Sequence, residues 1–237
     1  MSAIERFPTG IPGLDPMIEG GIPVGRSVLV VGGPGSGKSV FCAQFLQHGL
    51  AKLGQKGIYV SLEENRYHFY REMSRFGWDL EKYEREGSLK FLDASPSFDE
   101  EVAPHRSLEQ VLHTITRMVS DLKAQRVAVD AIASLIFEFP DLLERRRALL
   151  RLVHTLSETG VTSILTNELR TLETERPVQI EEYLTHGTIV LKTVESGPSV
   201  IRALLVEKMR ETAIDPQPRP YRITSSGIEV FPRESVR

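Results

Sequence analysis

The sequence predicts an α/β protein with a mostly parallel central sheet flanked by helices, followed by antiparallel β-hairpins. Short apolar runs, typical of buried strands, alternate with amphipathic helical patterns along most of the chain. The C-terminal part changes to β-rich runs joined by Gly-containing turns. With 237 residues, of which 41% are hydrophobic, the chain is long enough for one large core. We therefore expect residues 1–237 to form a single domain.

The elements of the first half follow from hydrophobic spacing. Residues 27–31 (SVLVV), 57–62 (GIYVSL) and 89–92 read as buried strands. Apolar residues at helical spacing follow the first strand, and residues 66–76 form a second helical pattern. A cluster of aromatic residues in and after that pattern is expected in the core or at its rim: Tyr67, Phe69, Tyr70, Phe76 and Trp78.

The second half continues the alternation and then departs from it. Ser107 and Gln110 have the spacing of a capping box, and Asp141 with Glu144 opens a Leu-rich helix that ends near Gly160. Strands are expected at 127–129 and 161–166. Hairpins are expected for residues 188–194 with 200–206 and for residues 221–224 with 228–231.

The run from Gly32 to Ser39 (GGPGSGKS) fits the phosphate-binding pattern G-x-x-x-x-G-K-[ST], between a strand and a helix as that pattern requires. Glycines let backbone N–H groups turn toward phosphate oxygens, and the helix N-terminus favours the same anion. Lys38 would reach the terminal phosphates, and Ser39 would offer its hydroxyl to Mg²⁺. The residues expected to hold the nucleoside triphosphate are Gly33, Pro34, Gly35, Ser36, Gly37, Lys38, Ser39 and Val40.

Carboxylates close two other predicted strands. Asp130 ends the run RVAVD and is expected to hold magnesium, with a turn cap as the alternative. Glu63 and Glu64 follow GIYVSL, where adjacent carboxylates serve as general base and support, with a solvated helix start as the alternative. Spacing alone does not say which glutamate is the stronger base.

Composition excludes several classes. The 29 Lys and Arg against 32 Asp and Glu give a net charge of −3, too balanced to predict tight nucleic-acid binding. The lone cysteine, Cys42, permits no intrachain disulfide and is expected to be buried. The N-terminus lacks the apolar core of a signal peptide, and no apolar run of about 18 residues appears, so we expect a cytoplasmic protein without a membrane segment.

Several stretches together resemble a KaiC domain of the RecA/RadA superfamily: residues 9–25, the phosphate loop, residues 59–65 (YVSLEEN), 76–87 and 227–232 (GIEVFP). The chain is similar to the single-domain members, whereas clock KaiC carries two domains in tandem. The resemblance implies a RecA-type P-loop NTPase fold, ATP with Mg²⁺, and a homo-oligomer with ATP at the subunit interfaces. The oligomer is a ring or a filament, and we expect a hexameric ring.

The resemblance also assigns residue roles. It makes Glu63 and Glu64 the catalytic carboxylates, and it matches Lys208-Met209-Arg210 to a K-x-R pair that reaches the neighbouring subunit's phosphates. Lys208 and Arg210 are two residues apart and would share a strand face. Family members commonly carry glycine, basic and histidine residues after this pair. Here Glu211, Ala213, Ile214 and Asp215 follow, which predicts an altered or weaker interface.

The leading hypothesis is a slow Mg-ATPase whose cycle changes subunit contacts or the binding of an unidentified protein partner. One alternative is a Ser/Thr autokinase of the clock-KaiC type, and another is a nucleotide-gated scaffold. A third is a RadA-like DNA-binding recombinase paralogue. The candidate DNA loop, residues 169–183, carries Arg170 and Arg176 but also four glutamates, which counts against it: Glu173, Glu175, Glu181 and Glu182.

Overall fold

A computed structural model describes residues 4–95, 107–136, 139, 141–169, 180–196 and 199–236. Nine strands of these ranges form one mixed sheet, and two very short strands pair separately near the N-terminus. The strands are β1 (Arg6–Phe7), β2 (Ile22–Pro23), β3 (Ser27–Gly32), β4 (Gly57–Ser61), β5 (Leu89–Asp93), β6 (Arg126–Asp130), β7 (Thr162–Glu168), β8 (Gly187–Ser196), β9 (Ser199–Met209), β10 (Arg219–Thr224) and β11 (Gly227–Val230). The helices are α1 (Lys38–Leu53), α2 (Arg66–Ser74), α3 (Leu80–Arg85), α4 (Leu108–Leu122), α5 (Ala133–Ile136), α6 (Leu142–Glu158) and α7 (Ile180–Leu184).

The large sheet has the strand order β11-β10-β9-β8-β3-β7-β6-β4-β5. Strands β8, β3, β7, β6, β4 and β5 run parallel, and β9, β10 and β11 continue the sheet with antiparallel pairings. This confirms the predicted fold class, including the C-terminal hairpins. All the parallel strands end at one edge of the sheet, and we refer to it below as the carboxyl edge.

The hydrophobic core has two layers, one on each face of the sheet. Successive side chains of β3 point into alternate layers. Val28 and Val30 pack in the layer with α1, whereas Leu29 and Val31 pack in the layer with α4 and α6. Every residue of β3 is buried, as expected for a central parallel strand. Cys42 is fully buried in the α1 layer, as predicted.

The predicted helix starts are confirmed by their caps. Ser107 and Gln110 form a reciprocal capping box, and the Asp141 carboxylate accepts a hydrogen bond from the Leu143 N–H. One assignment is wrong: Tyr67 is not in the core, since 68% of it is exposed on the outer side of α2. Its neighbours Phe69 and Trp78 are buried, as expected. No helix within the described ranges combines the length and apolar character needed to cross a bilayer.

The hairpin of β10 and β11 is fastened to α1 and to the loop before it. Gln44 on α1 donates to the Ile228 carbonyl at 3.0 Å and accepts from the Ile228 N–H at 2.7 Å. The Tyr221 hydroxyl donates to the Ser36 carbonyl at 2.7 Å. The hairpin therefore forms one wall of the loop that connects β3 to α1.

Arg126 lies at the opposite edge of the sheet, at the start of β6, and none of its surface is exposed. Its guanidinium donates to the carbonyls of Pro8 and Phe45 and to the Gln55 side chain, at 2.9, 2.9 and 2.6 Å. It also lies over the Phe45 ring, 4.3 Å from the centroid. Burial lowers the pKa of Arg126 to about 10. This residue ties the N-terminal segment to α1 and the sheet.

Candidate functional site

The predicted site residues come together at the carboxyl edge. The glycine-rich loop leaves β3, Glu63 and Glu64 follow β4, and Asp130 ends β6. In the sheet order, β7 lies between β3 and β6, and β4 lies beyond β6. Three parallel strands thus deliver a phosphate loop and acidic side chains to one edge, the usual ligand-binding position of such sheets.

The loop has the backbone that its glycines predict. Gly35 and Gly37 adopt φ angles of 70° and 95°, in the left-handed region that glycine favours. A Cβ at Gly37 would also lie 2.8 Å from Ile223 Cδ1 of the hairpin wall. Ser36 Oγ is buried without a hydrogen-bond partner among the described residues. A buried hydroxyl without a partner, in a loop whose glycines allow backbone N–H groups to turn inward, fits a site for a phosphate oxygen.

Lys38 begins α1 and is half-buried at the mouth of the loop. Its ammonium group donates to the carbonyls of Gly32 and Gly33, at 2.9 and 3.3 Å. A lysine ammonium has three N–H donors, so these two bonds hold the charge over the loop and leave a donor for a phosphate oxygen. Ser39 and Val40 follow in the first turn of α1, where the helix dipole favours an anion.

Asp130 is held from both sides by neighbouring strands. Tyr59 on β4 donates to Oδ2 at 2.7 Å, and Thr166 on β7 donates to Oδ1. The turn that follows is also fastened, since the Ile132 N–H donates to the Thr166 carbonyl at 2.9 Å. The carboxylate therefore lies in a fixed position at the carboxyl edge.

Glu63 and Glu64 occupy different surroundings although they are adjacent. Partial burial raises the pKa of Glu63, and the charges of Asp130 and Glu168 raise it further, while Lys38 lowers it. Burial also raises the pKa of Glu64, but the next charge acting on it is Glu72 of α2. Of the two glutamates, Glu63 is the one whose pKa is affected by the charge of Lys38 in the phosphate loop.

The turn that carries the two glutamates is fixed at the end of β4. Ser61 Oγ donates to the Glu64 carbonyl at 2.5 Å and accepts from the Glu64 N–H at 3.1 Å. Ser134 on α5 donates to Glu63 Oε1 at 3.2 Å. These bonds position Glu63 relative to β6 and hence to Asp130.

Lys208 and Arg210 lie apart from this cluster within one chain. The Lys208 ammonium donates to the carbonyls of Glu182, Tyr183 and Thr185 at the C-terminal end of α7, at 3.0, 3.5 and 2.6 Å. Burial lowers the pKa of Lys208, and the charge of Arg210 lowers it further. β9 ends at Met209, so Arg210 is exposed one residue beyond the strand.

The carboxyl edge fits magnesium held with few protein ligands. Within the described part of the chain, no group of three or more His, Cys, Asp or Glu side chains forms a metal cage. Magnesium commonly keeps several waters and binds through one or two carboxylates plus substrate phosphates. The Ser39 hydroxyl and the Asp130 carboxylate are the oxygen groups that would hold such an ion.

Sequence reasoning missed four residues that the structure brings to the site. Glu168 ends β7 and raises the pKa of Glu63, and Ser134 donates to Glu63. Tyr59 and Thr166 donate to Asp130. Glu168 could have been found, because it also ends a parallel strand. The other three carry no motif and depend on the strand register.

The candidate DNA loop can be described only in part. Its two arginines and the glutamates at 173 and 175 lie in residues 170–179, outside the described ranges. Glu181 and Glu182 on α7 are buried, with 3% and 4% exposed. They therefore do not supply the acidic surface that the sequence argument assigned to them.

Comparisons with known proteins identify the family of the chain. Residues 7–235 match the family described as "ATPase: KaiC". The chain is 35% identical over 240 residues to a UPF0273 protein of Methanopyrus kandleri, covering 98% of this chain and 94% of that protein. A UPF0273 protein of Pyrococcus furiosus is 37% identical over 245 residues, covering 99% and 97%.

Two further relatives carry the KaiC name. The circadian clock oscillator protein KaiC of Synechococcus elongatus is 34% identical over 239 residues, and the alignment spans 99% of this chain but 46% of that longer protein. A crystal structure of a KaiC-like protein from Pyrococcus horikoshii OT3 superposes with a TM-score of 0.84 at 38% identity, covering 97% of this chain and 100% of that chain. The chain therefore belongs to the KaiC-like family of RecA-type ATPases.

Proposed function

We propose that this protein binds Mg-ATP in the loop of residues 33–40 and hydrolyses it slowly, and that the cycle changes contacts between subunits or with a protein partner. The observation that carries the proposal is the meeting of the phosphate loop, Asp130 and Glu63 at the carboxyl edge. Family membership supports the choice of ATP as the nucleotide.

Each residue has a distinct task in this proposal. The loop N–H groups and the free donor of Lys38 bind the phosphates, and Ser39 and Asp130 would hold the metal. Magnesium, when bound, neutralises charge on the transferring phosphoryl group. Glu63 accepts the proton of the attacking water, and its raised pKa makes it a stronger base than an ordinary glutamate. Glu64 supports the turn beside it.

The proposal includes a homo-oligomer, expected to be a hexameric ring, in which Arg210 of one subunit stabilises the transition state at the next. Such a cation acts like an arginine finger. The exposure of Arg210 supports this role. The contacts of Lys208 with α7 suggest a second task for that residue, namely to hold the segment beside Arg210 in place.

Mixing two inactive variants tests the shared site. Lys38→Ala removes a cation that binds the phosphates, and we expect ATP affinity to fall at least about tenfold. Arg210→Ala is expected to keep nucleotide affinity but to lower hydrolysis, because it removes charge stabilisation made mainly in the transition state. Mixed oligomers contain some interfaces with an intact loop and an intact Arg210, so partial activity is expected to return.

The matched control is Arg202→Ala, which removes an exposed arginine within β9 and is expected to retain wild-type turnover. Subunit exchange is verified with differently tagged chains. If subunits exchange and no activity returns, the shared-site mechanism is wrong. Wild-type ATP affinity in Lys38→Ala would contradict the nucleotide site itself.

A further inference from the structure

The carboxylate of Asp130 accepts hydrogen bonds from two hydroxyl groups that come from the strands on either side of it. Tyr59 of β4 lies 2.7 Å from Oδ2, and Thr166 of β7 donates to Oδ1. Asp130 alone would leave its carboxylate orientation loosely defined, because the terminal torsion of aspartate is broad. Hydroxyl donors on opposite sides of the carboxylate restrict this torsion to one value.

The strand register explains how Tyr59 reaches a residue that is not its direct partner. Tyr59 pairs with Ala128, and Asp130 pairs with Ser61, two residues further along each strand. Alternation puts Ala128 and Asp130 on the same face of β6. Tyr59 and Ala128 belong to the same core cluster, and the small side chain of Ala128 leaves space on that face for a ring whose hydroxyl reaches Asp130.

The Tyr59 ring is itself fixed by aromatic neighbours. Only 1% of Tyr59 is exposed. Phe69 of α2 lies 4.0 Å from its ring centroid, and Phe91 of β5 stacks on it at 5.5 Å with an interplanar angle of 14°. Thr166 is fully buried, and its carbonyl accepts from Ile132. Both donors are thus held by their own packing before they contact Asp130.

We propose that Tyr59 and Thr166 are positioning residues that set the orientation of the Asp130 carboxylate for a divalent cation bound with the nucleotide. The inference rests on the proposed function, in which Asp130 holds magnesium. Residues that orient metal ligands through hydrogen bonds typically contribute about 10- to 100-fold to metal affinity or activity. Both hydroxyl groups are hydrogen-bonded to Asp130, so both would act on the cation through that carboxylate.

The test measures magnesium affinity rather than turnover. Binding of a fluorescent ADP analogue is followed while Mg²⁺ is titrated, and affinity for the same analogue in EDTA is measured separately. Tyr59→Phe removes the hydroxyl and keeps the ring, and we expect it to raise the half-maximal Mg²⁺ concentration about tenfold. Nucleotide affinity in EDTA is expected to stay within about twofold, because the phosphate loop is unchanged.

Tyr70→Phe is the matched control. Tyr70 packs 5.5 Å from Phe69 and 5.6 Å from Phe91, but its hydroxyl donates to Glu84 at 2.8 Å instead of Asp130. Tyr70→Phe, like Tyr59→Phe, removes one hydroxyl oxygen from this aromatic cluster. A merely structural role for the Tyr59 hydroxyl predicts equal effects of the two variants, whereas positioning predicts a magnesium shift for Tyr59→Phe alone.

Thr166 provides an independent pair of variants. Thr166→Val is expected to shift magnesium dependence in the same direction as Tyr59→Phe, and Thr166→Ser, which retains the hydroxyl, is expected to restore it. Unchanged magnesium dependence in Tyr59→Phe and Thr166→Val would overturn the inference. If Tyr59→Phe does not fold, as judged by circular dichroism, the Thr166 pair decides alone.

Asp130→Asn separates failure of this inference from failure of the proposed function. If Asp130→Asn shifts magnesium dependence and the hydroxyl variants do not, the positioning role is wrong and the metal assignment stands. If Asp130→Asn also leaves magnesium dependence unchanged, Asp130 does not hold the metal, and the proposed function and this inference both fail at that residue.

Discussion

Replacing each of the paired glutamates by glutamine, one at a time, resolves which of them is the general base. The charges of Asp130, Glu168 and Lys38 act on the pKa of Glu63, whereas those of Glu72 on α2 and of Asp130 act on the pKa of Glu64. Glutamine keeps the size of the side chain and removes its ability to accept a proton. We expect Glu63→Gln to abolish most hydrolysis and Glu64→Gln to reduce it much less.

The size of the effect follows from the role. A general base contributes about 10²- to 10⁴-fold, so Glu63→Gln is expected to lower kcat at least about 100-fold. At about 1.36 kcal/mol for each factor of ten, this corresponds to about 2.7 kcal/mol of barrier. Glu64→Gln, which leaves the base in place, is expected to lower kcat less than about tenfold.

The assay is phosphate release at saturating Mg-ATP, with nucleotide affinity measured in parallel and expected to be unchanged in both variants. Stability gives a second readout. The pKa of Glu63 is raised in the folded protein, so stability is lost as pH rises from the unfolded pKa through the folded one. Glu63→Gln removes that cost and is expected to melt higher than wild type at pH 7. An equal or larger loss of kcat in Glu64→Gln would refute this reasoning.

Two other predictions concern acidity and stability. Glu168→Gln is expected to move the acid limb of the kcat profile to lower pH, because the charge of Glu168 raises the pKa of Glu63; an unshifted limb would contradict that coupling. Arg126→Met is expected to lower the free energy of unfolding by about 3 kcal/mol in urea denaturation, since it deletes the donor of three hydrogen bonds and leaves their acceptors unpaired. Its control is Arg222→Met, an exposed residue expected to change stability by less than about 1 kcal/mol.

The sequence predicted the parallel sheet, the phosphate loop and the carboxylates that end β4 and β6, because hydrophobic period and turn chemistry are local properties. The helix caps at Ser107 and Asp141 were predicted from the sequence for the same reason. The order of the strands in the sheet could not be predicted, since it depends on pairing between strands that are far apart in the sequence. The hydrogen bonds from Tyr59 and Thr166 to Asp130 depend on the order and register of β4, β6 and β7, so the sequence did not predict them.

The direction of individual side chains was the other property that the sequence did not predict. Tyr67 carries an aromatic side chain in a helix with buried neighbours, yet it faces solvent. Lys208 was expected to reach a neighbouring subunit, and its contacts within one chain lie on the end of α7. That contact comes from the fold of α7 against β9, which no spacing rule describes. The role of Lys208 across an interface stays a prediction.

The bond from Tyr221 to the Ser36 carbonyl spans 185 residues of sequence. During synthesis, the phosphate loop leaves the ribosome long before the hairpin that forms its wall. Gly37 also contacts that wall through Ile223, and Gln44 bonds to Ile228. In a growing chain, the phosphate loop is therefore present before the hairpin that packs against it. We therefore expect tight nucleotide binding to develop only after the C-terminal hairpin has been synthesised and has packed against the phosphate loop.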